Sequence, residues 1–304
     1  MSYLVLVNAK GGTVRDRGAR ALKADLESAF TQCGEQADIR MLHPSRLAAE
    51  IRQAIDNRAG EHAIIVGGGD GTLSAAAGML SGSDIPLGIL PLGTMNLFAR
   101  AIGVPLAPAE SVEALVNAVP AKIDMLEIGG RKVLMHASIG LHPKVVRMRE
   151  SMPYKTRLAR MLNGIIAWVR VTRRLQKMQI RGQFGDKSVV RAASAIVISN
   201  NVLPEGIGEV PVSHTLDGGE IAIYLTASAS RQELVRLALA TSLGAWRDSE
   251  LVEEFRTASA EIESTKKSLL VSLDGEVVRL KTPVEVAMIP KSLSVLMPAR
   301  GRDG

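Results

Sequence analysis

A glycine-rich run that follows an apolar segment carries the clearest chemical pattern in the sequence. Ala63–Val66 is predicted as a buried strand, and it leads into Gly67-Gly68-Gly69-Asp70-Gly71-Thr72 and then a helical pattern through Leu80. Glycines let the backbone turn sharply and point N–H groups at an anion, and a helix N-terminus adds its positive dipole end. The spacing fits neither a Walker A loop, which needs Gly-Lys-Ser/Thr, nor the dinucleotide fingerprint. The run therefore predicts an anion cradle; the alternative is an ordinary turn in which Asp70 caps the helix.

Two other polar loops are expected beside this run. Asn8–Thr13 and Pro91–Asn96 each follow a short apolar segment. The carboxyl ends of parallel strands share one sheet edge, where open α/β sheets bind ligands. Thr94 and Asn96 would offer a hydroxyl and an amide there, although a turn at Gly93 with a cap at Asn96 explains the loop equally well. Three polar, glycine-containing loops on one edge predict a phosphate site.

The elements that must position these loops alternate regularly in the first third of the chain. The predicted strands are Tyr3–Val7, Asp38–Leu42, Ala63–Val66 and Leu87–Leu90; the predicted helices are Ala19–Cys33, Leu47–Ala59, one that follows the glycine-rich run and continues through Leu80, and Asn96–Ile102. Alternation of strand and helix predicts a parallel sheet covered by helices on both faces.

After about Ile123 the pattern changes to short alternating runs separated by Gly, Asp or Pro. The predicted strands are Asp124–Ile128, Lys132–Ile139, Met178–Phe184, Ser194–Ser199, Glu220–Thr226, Ala260–Ser264, Ser268–Leu273 and Val277–Leu280, with helices at Tyr154–Leu175 and Arg231–Gly244. Such a series indicates an antiparallel, sandwich-like domain. The predicted fold class is therefore α/β, with a parallel-sheet α/β domain at 1–123 and an antiparallel β-sandwich-like domain at 124–284. The strand-like tail, about 285–304, is expected to return to the first domain.

Composition narrows the class of protein. The 304 residues are 46% hydrophobic and 22% charged, which excludes a disordered or collagen-like chain. A net charge of +6 favours an anionic partner such as a nucleotide, a nucleic acid or a lipid headgroup. The lone Cys33 excludes an internal disulfide and fits a reducing compartment. Because no apolar run is long enough to span a bilayer and no signal peptide is evident, we expect a cytoplasmic protein, soluble or peripherally bound.

The segment Lys144–Arg181 concentrates the positive charge. It holds eleven basic residues and one acidic residue, interleaved with methionines, aliphatic residues and Trp168. A basic amphipathic helix of this kind suits the anionic inner surface of a membrane. The residues expected to face the membrane are Arg157, Arg160, Trp168, Arg170, Arg173 and Arg174. The alternative is a helix packed on the second domain with a solvated basic face, and nucleic acid is not expected because no motif or aromatic platform supports it.

The ordered set of motifs resembles the diacylglycerol kinase catalytic-domain family. The matching residues are Asn8-x-x-Gly11, Gly68-Gly69-Asp70-Gly71-Thr72, Pro91-Leu92-Gly93-Thr94-x-Asn96-x-Phe98-Ala99-Arg100, Ser199-Asn200-Asn201, Pro211, Asp217-Gly218 and Leu273-Asp274-Gly275-Glu276. The likeness is strongest to soluble bacterial lipid kinases, a group related to sphingosine and ceramide kinases, and it spans nearly the whole chain. It implies an ATP-binding α/β domain followed by a β-rich domain, with lipid and catalytic groups near the cleft between them.

The resemblance also implies roles for individual residues. ATP would be held by Asn8, Gly11, Gly12, Gly68, Gly69, Asp70, Gly71, Thr72, Thr94 and Asn96. Asp217 resembles the residue that organises a structural Mg²⁺, with backbone carbonyls around His214 and Gly219. Asp274 and Glu276 resemble the acidic pair that supplies the general base, and Asp70 would steer the catalytic Mg²⁺. Taken alone, the Asp217-Gly218 and Asp274-Gly275 pairs indicate hairpin turns.

Two positions depart from the family pattern. Leu97 stands where an Asp usually follows Asn96, and Ser74-Ala75-Ala76 lacks the usual acidic residue of the first helical turn. Asp70 and Asp124 are left as the expected members of any metal network. The departures also leave room for a substrate other than diacylglycerol.

Taken together, the motifs predict an ATP- and Mg²⁺-dependent lipid kinase that phosphorylates a primary hydroxyl, with diacylglycerol as the default acceptor. The alternatives are a ceramide or sphingoid-base kinase, a soluble-substrate enzyme like NAD kinase, and a nucleotide-binding membrane adaptor without catalysis. The acceptor, its chain length, a homodimer and the choice between Asp274 and Glu276 as base stay open. We expect Asp70 and Asp274 to face one groove.

Overall fold

The protein is described by a computed structural model that covers residues 2–57, 63–153, 157–173, 177–204, 212–213, 215–227, 229–242, 244–247 and 249–299. It divides into two compact units. One unit comprises Met1–Met125 together with the segment from Ile289 onward, and the other comprises Leu126–Met288.

The first unit contains β1 (Ser2–Asn8), α1 (Gly12–Arg17), α2 (Ala19–Gln32), β2 (Gln36–Leu42), α3 (Pro44–Asn57), β3 (Ile64–Gly68), α4 (Asp70–Leu80), β4 (Leu87–Pro91), α5 (Leu97–Ala101), α6 (Pro108–Val116) and most of β5 (Val119–Ile128). Then come β6 (Arg131–Val133), β7 (His136–Gly140), α7 (Leu141–Glu150), α8 (Arg157–Arg173), β8 (Met178–Phe184), β9 (Lys187–Asn200), β10 (Ile221–Ala227), α9 (Arg231–Ser242), β11 (Val252–Thr257), β12 (Ser259–Ser264), β13 (Ser268–Leu273), β14 (Glu276–Lys281) and β15 (Val284–Met297), whose end belongs to the first unit.

A parallel sheet forms the centre of the first unit. Its strand order is β2-β1-β3-β4-β15, and every neighbouring pair is parallel. Strands β3 and β4 are buried along their whole length, as expected of apolar strands covered on both faces. Helices α2 and α6 pack together, as do α3 and α4. The prediction of a parallel sheet between helices is therefore confirmed.

An antiparallel, sandwich-like array of strands forms the second unit. The long strand β9 organises it, because its first half pairs with β8 and its second half pairs with both β7 and β10. Along β8 every second residue is buried, which is the period of a strand with one face on a core. The core combines Ile196 and Ile198 of β9 with Ile223 of β10 and Val271 of β13. The predicted fold class of this half is confirmed as well.

Several predicted elements were wrong in detail. The single strand expected at Lys132–Ile139 is two strands, β6 and β7, because the N–H groups between them bind the Asp274 carboxylate instead of a neighbouring strand. The loop expected at Asn8–Thr13 already contains the start of α1 at Gly12. Helices α6 and α7 and strand β11 were not predicted at all.

Candidate functional site

The loops that follow β3 and β4 touch each other through glycine. A Cβ added to Gly93 would overlap the Gly69 Cα, and a Cβ added to Gly68 would lie 2.6 Å from the Cβ of Thr72. The Leu92 N–H donates to the Gly68 carbonyl at 2.9 Å, which ties the two loops together. A side chain at Gly93 would force the two loops apart, and one at Gly68 would displace Thr72 of its own loop, so the local fold favours glycine at both positions.

The loop after β1 is bound to the same edge. The Asn8 amide donates to the Thr72 hydroxyl at 2.9 Å, and its oxygen accepts the Lys10 N–H at 3.0 Å. The Thr13 N–H donates to the Leu92 carbonyl at 3.3 Å, and Gly11 N–H donates to the Asn8 carbonyl at 3.0 Å. Strand β1 lies between β2 and β3, so the strands that follow it in the chain are added first on one side of β1 and then on the other. Open α/β sheets bind ligands at such a reversal of strand order.

The surface between these loops is open enough for an anion. A Cβ on Gly71 would meet no atom within 4 Å, and a Cβ on Gly12 would meet only the Thr94 hydroxyl, at 3.9 Å. Helix α4 begins here behind Gly69, which offers no side-chain cap to the first N–H groups. Those N–H groups and the positive end of an eleven-residue helix can bind phosphate oxygens. These N–H groups are the kind of donors with which a helix N-terminus binds an anion.

Asp70 is half-buried at the start of α4, but its carboxylate caps a different helix. It accepts the Phe98 N–H at 3.4 Å, and the backbone N–H groups of Leu97, Asn96 and Asp70 itself also favour its charged form. Burial raises the pKa of Asp70, and these N–H groups oppose the rise only in part. The residue therefore links two of the glycine loops while keeping a carboxylate beside the cradle.

Asn96 shapes its own loop. Its backbone is in the left-handed region at φ 50°, its side chain is buried, its oxygen accepts the Gly93 N–H at 2.8 Å and its amide donates to the Gly93 carbonyl at 3.2 Å. Asn tolerates this backbone conformation better than most residues. Direct contact of Asn96 with a nucleotide stays a prediction. Thr94, two residues earlier, is exposed.

The two positions that lack the family's usual acidic residue carry apolar side chains, which cannot bind a metal. Leu97 is half-buried at the start of α5, and Ala75 is exposed on α4. Asp124, expected in a metal network, is buried in β5 and accepts the Lys291 N–H at 2.8 Å. Within the described ranges, no three His, Cys, Asp or Glu side chains gather as a metal site. Of these positions, Asp70 keeps a half-buried carboxylate beside the glycine loops.

Asp274 stands at the tight turn between β13 and β14 of the second unit. The turn uses two residues with positive φ, Asp274 at 45° and Gly275 at 91°, as a two-residue hairpin needs. The buried carboxylate accepts three consecutive backbone N–H groups, from Leu134 at 2.7 Å and from Met135 and His136 at 2.9 Å each. Asp274 thus holds the β6–β7 connection to the turn, and Glu276, two residues later, is exposed.

Two asparagines, Asn200 at the end of β9 and Asn201 directly after it, support the same connection. Asn200 donates from its amide to the Leu134 carbonyl at 2.9 Å, and the Asn201 amide donates to the Asn200 side-chain oxygen at 3.1 Å. A Cβ on Gly218 would lie 2.5 Å from the Asn201 oxygen, so the glycine of the predicted metal loop allows a close approach. Asp217 is exposed and Gly219 has φ 69°. His214 and Pro211 lie outside the described residues.

A pair of polar residues that sequence reasoning missed lies on β7 and α7. The hydroxyl of Ser138 and Nδ1 of His142 are 2.7 Å apart. The pKa of His142 is lowered to about 4, because surrounding protein desolvates the ring and His136 and Arg149 repel its charge. Ser138 on β7 lies opposite Ser272 on the neighbouring strand β13, which places both on one face of the sheet. The available sequence signal was that His136 and Ser138, two residues apart on a predicted strand, lie on the same face of it.

The predicted membrane-facing residues fall mainly on α8. Arg170 and Arg173 are exposed, and Trp168 is half-buried. Arg157 and Arg160 belong to the helix, but their side chains, like the whole of Arg174, lie outside the described part of the structure. Within that part, no helix is both long and apolar enough to cross a membrane.

Comparison with known proteins matches both halves of the chain. Residues 2–128 match the diacylglycerol kinase catalytic domain, and residues 137–297 match the YegS C-terminal NAD kinase beta sandwich-like domain. A "Probable lipid kinase YegS-like" protein of Pseudomonas aeruginosa is 37% identical over 146 residues, 47% of this chain and 45% of that protein. The uncharacterized protein sll0036 of Synechocystis is 28% identical over 91% of this chain. The chain spans 63% of the length of sll0036.

Solved structures share the fold. Two structures from Bacillus anthracis superpose with TM-scores of 0.74 and 0.68 at 20% and 19% identity. Each alignment covers 98% of this chain, and 95% and 97% of the respective structures. The second of them is titled as a diacylglycerol kinase.

Proposed function

Because the chain belongs to the family that joins a diacylglycerol kinase catalytic domain to a YegS-type C-terminal domain, we propose that it is an ATP-dependent lipid kinase. It transfers the γ-phosphate to the primary hydroxyl of a membrane-derived lipid, with diacylglycerol as the first acceptor to test. The observation that carries this proposal is the glycine contact between Gly69 and Gly93, which brings two loops together beside the open N-terminus of α4.

On the nucleotide side, the chain supplies the uncapped backbone N–H groups at the start of α4. Gly71 and Gly12 leave space for phosphate oxygens, and the Thr94 hydroxyl borders that space. Asn8 and Asn96 position the loops from behind through their own hydrogen bonds. Bound Mg²⁺ would neutralise charge on the transferred phosphate, and Asp70 is the described carboxylate that fits a role in holding it. Positioning and charge neutralisation are the main requirements of phosphoryl transfer.

On the acceptor side, we assign the role of general base, which takes the proton of the lipid hydroxyl, to Glu276. The three N–H bonds to Asp274 occupy its oxygens, whereas Glu276 is exposed next to the same turn. The Glu276 carboxylate accepts the hydroxyl proton as the lipid oxygen attacks the γ-phosphorus, and ADP leaves with the electron pair of the broken P–O bond. Asp274 acts as a positioning residue, since it fixes the turn from which Glu276 projects.

The test is a transfer assay with the purified full chain. Labelled ATP and Mg²⁺ are supplied with diacylglycerol, ceramide or a sphingoid base in mixed micelles, and with NAD in solution. Labelled phospholipid supports the proposal and names the acceptor. Labelled NADP would instead establish the soluble-substrate alternative, which the NAD kinase-like description of the second half keeps in view. Nucleotide binding without product from any acceptor would leave the adaptor alternative and overturn the proposal.

A further inference from the structure

Helix α8 carries an exposed apolar stripe. Met161 is 69% exposed, Leu162 50%, Ile165 62% and Ile166 42%. Their spacing, i, i+1, i+4 and i+5, places all four on one side of the helix. Apolar side chains this exposed, and this close together, usually mark an interaction surface.

The other side of α8 is already occupied. Ala167 and Val171 are buried, and the helix packs against α7. Because the buried side faces the protein, α8 has a fixed orientation and the stripe cannot turn inward. The stripe therefore has to be covered by something outside the described fold or stay in water.

Positive charge borders the stripe. Arg173 lies on the same side, seven residues after Ile166, and Arg170 lies at its edge; both are exposed. The seventeen residues of α8 include no Asp or Glu. Residues 144–181 carry a net charge of +10 in a chain whose net charge is +6. A second copy of the chain would bring the same charges face to face, and a nucleic acid would leave four apolar side chains uncovered.

We propose that α8 lies in the surface of an anionic bilayer, with Met161, Leu162, Ile165 and Ile166 inserted among the lipid chains. Arg170 and Arg173 then contact acidic headgroups, in the manner of interfacial amphipathic helices. The inference rests on the proposed function in one respect, since a lipid kinase must reach an acceptor held in a membrane. It adds to the predicted amphipathic helix the four apolar side chains that the structure leaves exposed.

The test compares two substitutions at equally exposed positions. Binding of the full chain to vesicles of phosphatidylcholine with about one third phosphatidylglycerol is measured by co-sedimentation. We expect Ile165→Glu to lower the partition coefficient at least about tenfold, because a charge would have to enter the apolar layer. Val190→Glu is the matched control: Val190 is also 62% exposed, in the same unit, and faces Arg181 across the β8–β9 pair, so its binding should equal that of the wild type.

Salt and activity separate this proposal from the kinase proposal. Wild-type binding should weaken when salt is raised and on pure phosphatidylcholine, since both remove the attraction of Arg170 and Arg173 to acidic lipid. Turnover of a short-chain, water-soluble acceptor should be unchanged in Ile165→Glu. Vesicle binding without turnover of any lipid would refute the kinase and support the docking surface. Equal binding of Ile165→Glu and wild type, or a wild-type dimer that Ile165→Glu dissociates, would overturn the docking surface.

Discussion

Replacement of Asp274 by Asn separates a positioning role from a role as general base. The asparagine oxygen can take the place of the carboxylate oxygen that accepts the Met135 and His136 N–H groups, both at 2.9 Å. Its NH₂ group then faces the Leu134 N–H, which in the wild type donates to the other carboxylate oxygen of Asp274 at 2.7 Å. Two donors opposed at that distance cannot bond, so the variant loses one charge-assisted bond and leaves a buried N–H group without an acceptor.

The expected cost follows from these contacts. A hydrogen bond to a charged group contributes about 1.5–3 kcal/mol, and an unsatisfied buried donor adds to its loss, so we expect Asp274→Asn to destabilise the protein by about 2–4 kcal/mol. Asp274→Ala removes all three bonds and puts alanine at a φ of 45°, so its cost should reach about 4 kcal/mol or more. Glu276→Gln, at an exposed position, should change stability by less than about 0.5 kcal/mol.

The assay measures stability and turnover on the same samples. Urea unfolding gives the free energy difference, and initial rates of lipid phosphorylation are divided by the folded fraction at the assay temperature. We expect Glu276→Gln to lose about 10²–10⁴-fold in kcat with little change in stability, as removal of a general base does. Asp274→Asn should lose stability and, per folded molecule, much less turnover. An unchanged unfolding midpoint in Asp274→Asn would refute the inferred tie, and a large rate loss in it beside an active Glu276→Gln would make Asp274 the base.

Four further substitutions, one of them a control, test the rest of the site. Gly93→Ala should cost about 1–3 kcal/mol in thermal unfolding and weaken ATP binding in a nucleotide titration, whereas Gly71→Ala, with no atom near the new Cβ, should leave stability intact; equal melting of the two would contradict the loop contact. Asp70→Asn should abolish transfer yet melt no lower than wild type at pH 7. Burial raises the pKa of Asp70, so the folded state binds its proton more readily than the unfolded state, and the free energy of unfolding falls as pH rises through the raised pKa. A large loss of melting temperature in this variant would refute the argument. His142→Gln should remove a loss of stability between pH 6.5 and about 4, where unfolded wild type binds a proton that the folded ring does not; parallel melting curves against pH would show that the ring titrates normally.

Much of the first unit could be predicted because its signals are local. Strands such as Ile64–Gly68 are continuous apolar runs that end at glycine, and the loops that follow them must share an edge once the sheet is parallel. The side-chain directions within those loops could not be predicted. Asp70 was weighed as a cap for its own helix, but its carboxylate accepts the N–H of Phe98 in α5, 28 residues further along, because the Gly69–Gly93 contact brings α5 within reach.

The second unit was harder to predict because long-range contacts determine its breaks. Lys132–Ile139 has the composition of one strand, yet the carboxylate of Asp274, more than 130 residues away, takes the N–H groups that a continuous strand would need. The sequence allowed either a turn or a catalytic acid at Asp274. It held no local signal that the turn residue would also bind the backbone of another segment.

Asp70 and Asp274 show why a structural and a functional explanation need not compete at such positions. Each carboxylate accepts backbone N–H groups from a separate segment, and each therefore fixes a loop whose neighbours are open or exposed: Gly71 beside Asp70 and Glu276 beside Asp274. A bound phosphate or a lipid hydroxyl needs groups held in place before it arrives, since reorganisation during the reaction raises the barrier. Acids that bind the backbone supply that rigidity, and the adjacent residue is left to contact the substrate. On this argument the absence of acids at Leu97 and Ala75 does not loosen the loops, because the bond between Asp70 and the start of α5 needs only backbone N–H groups from that side.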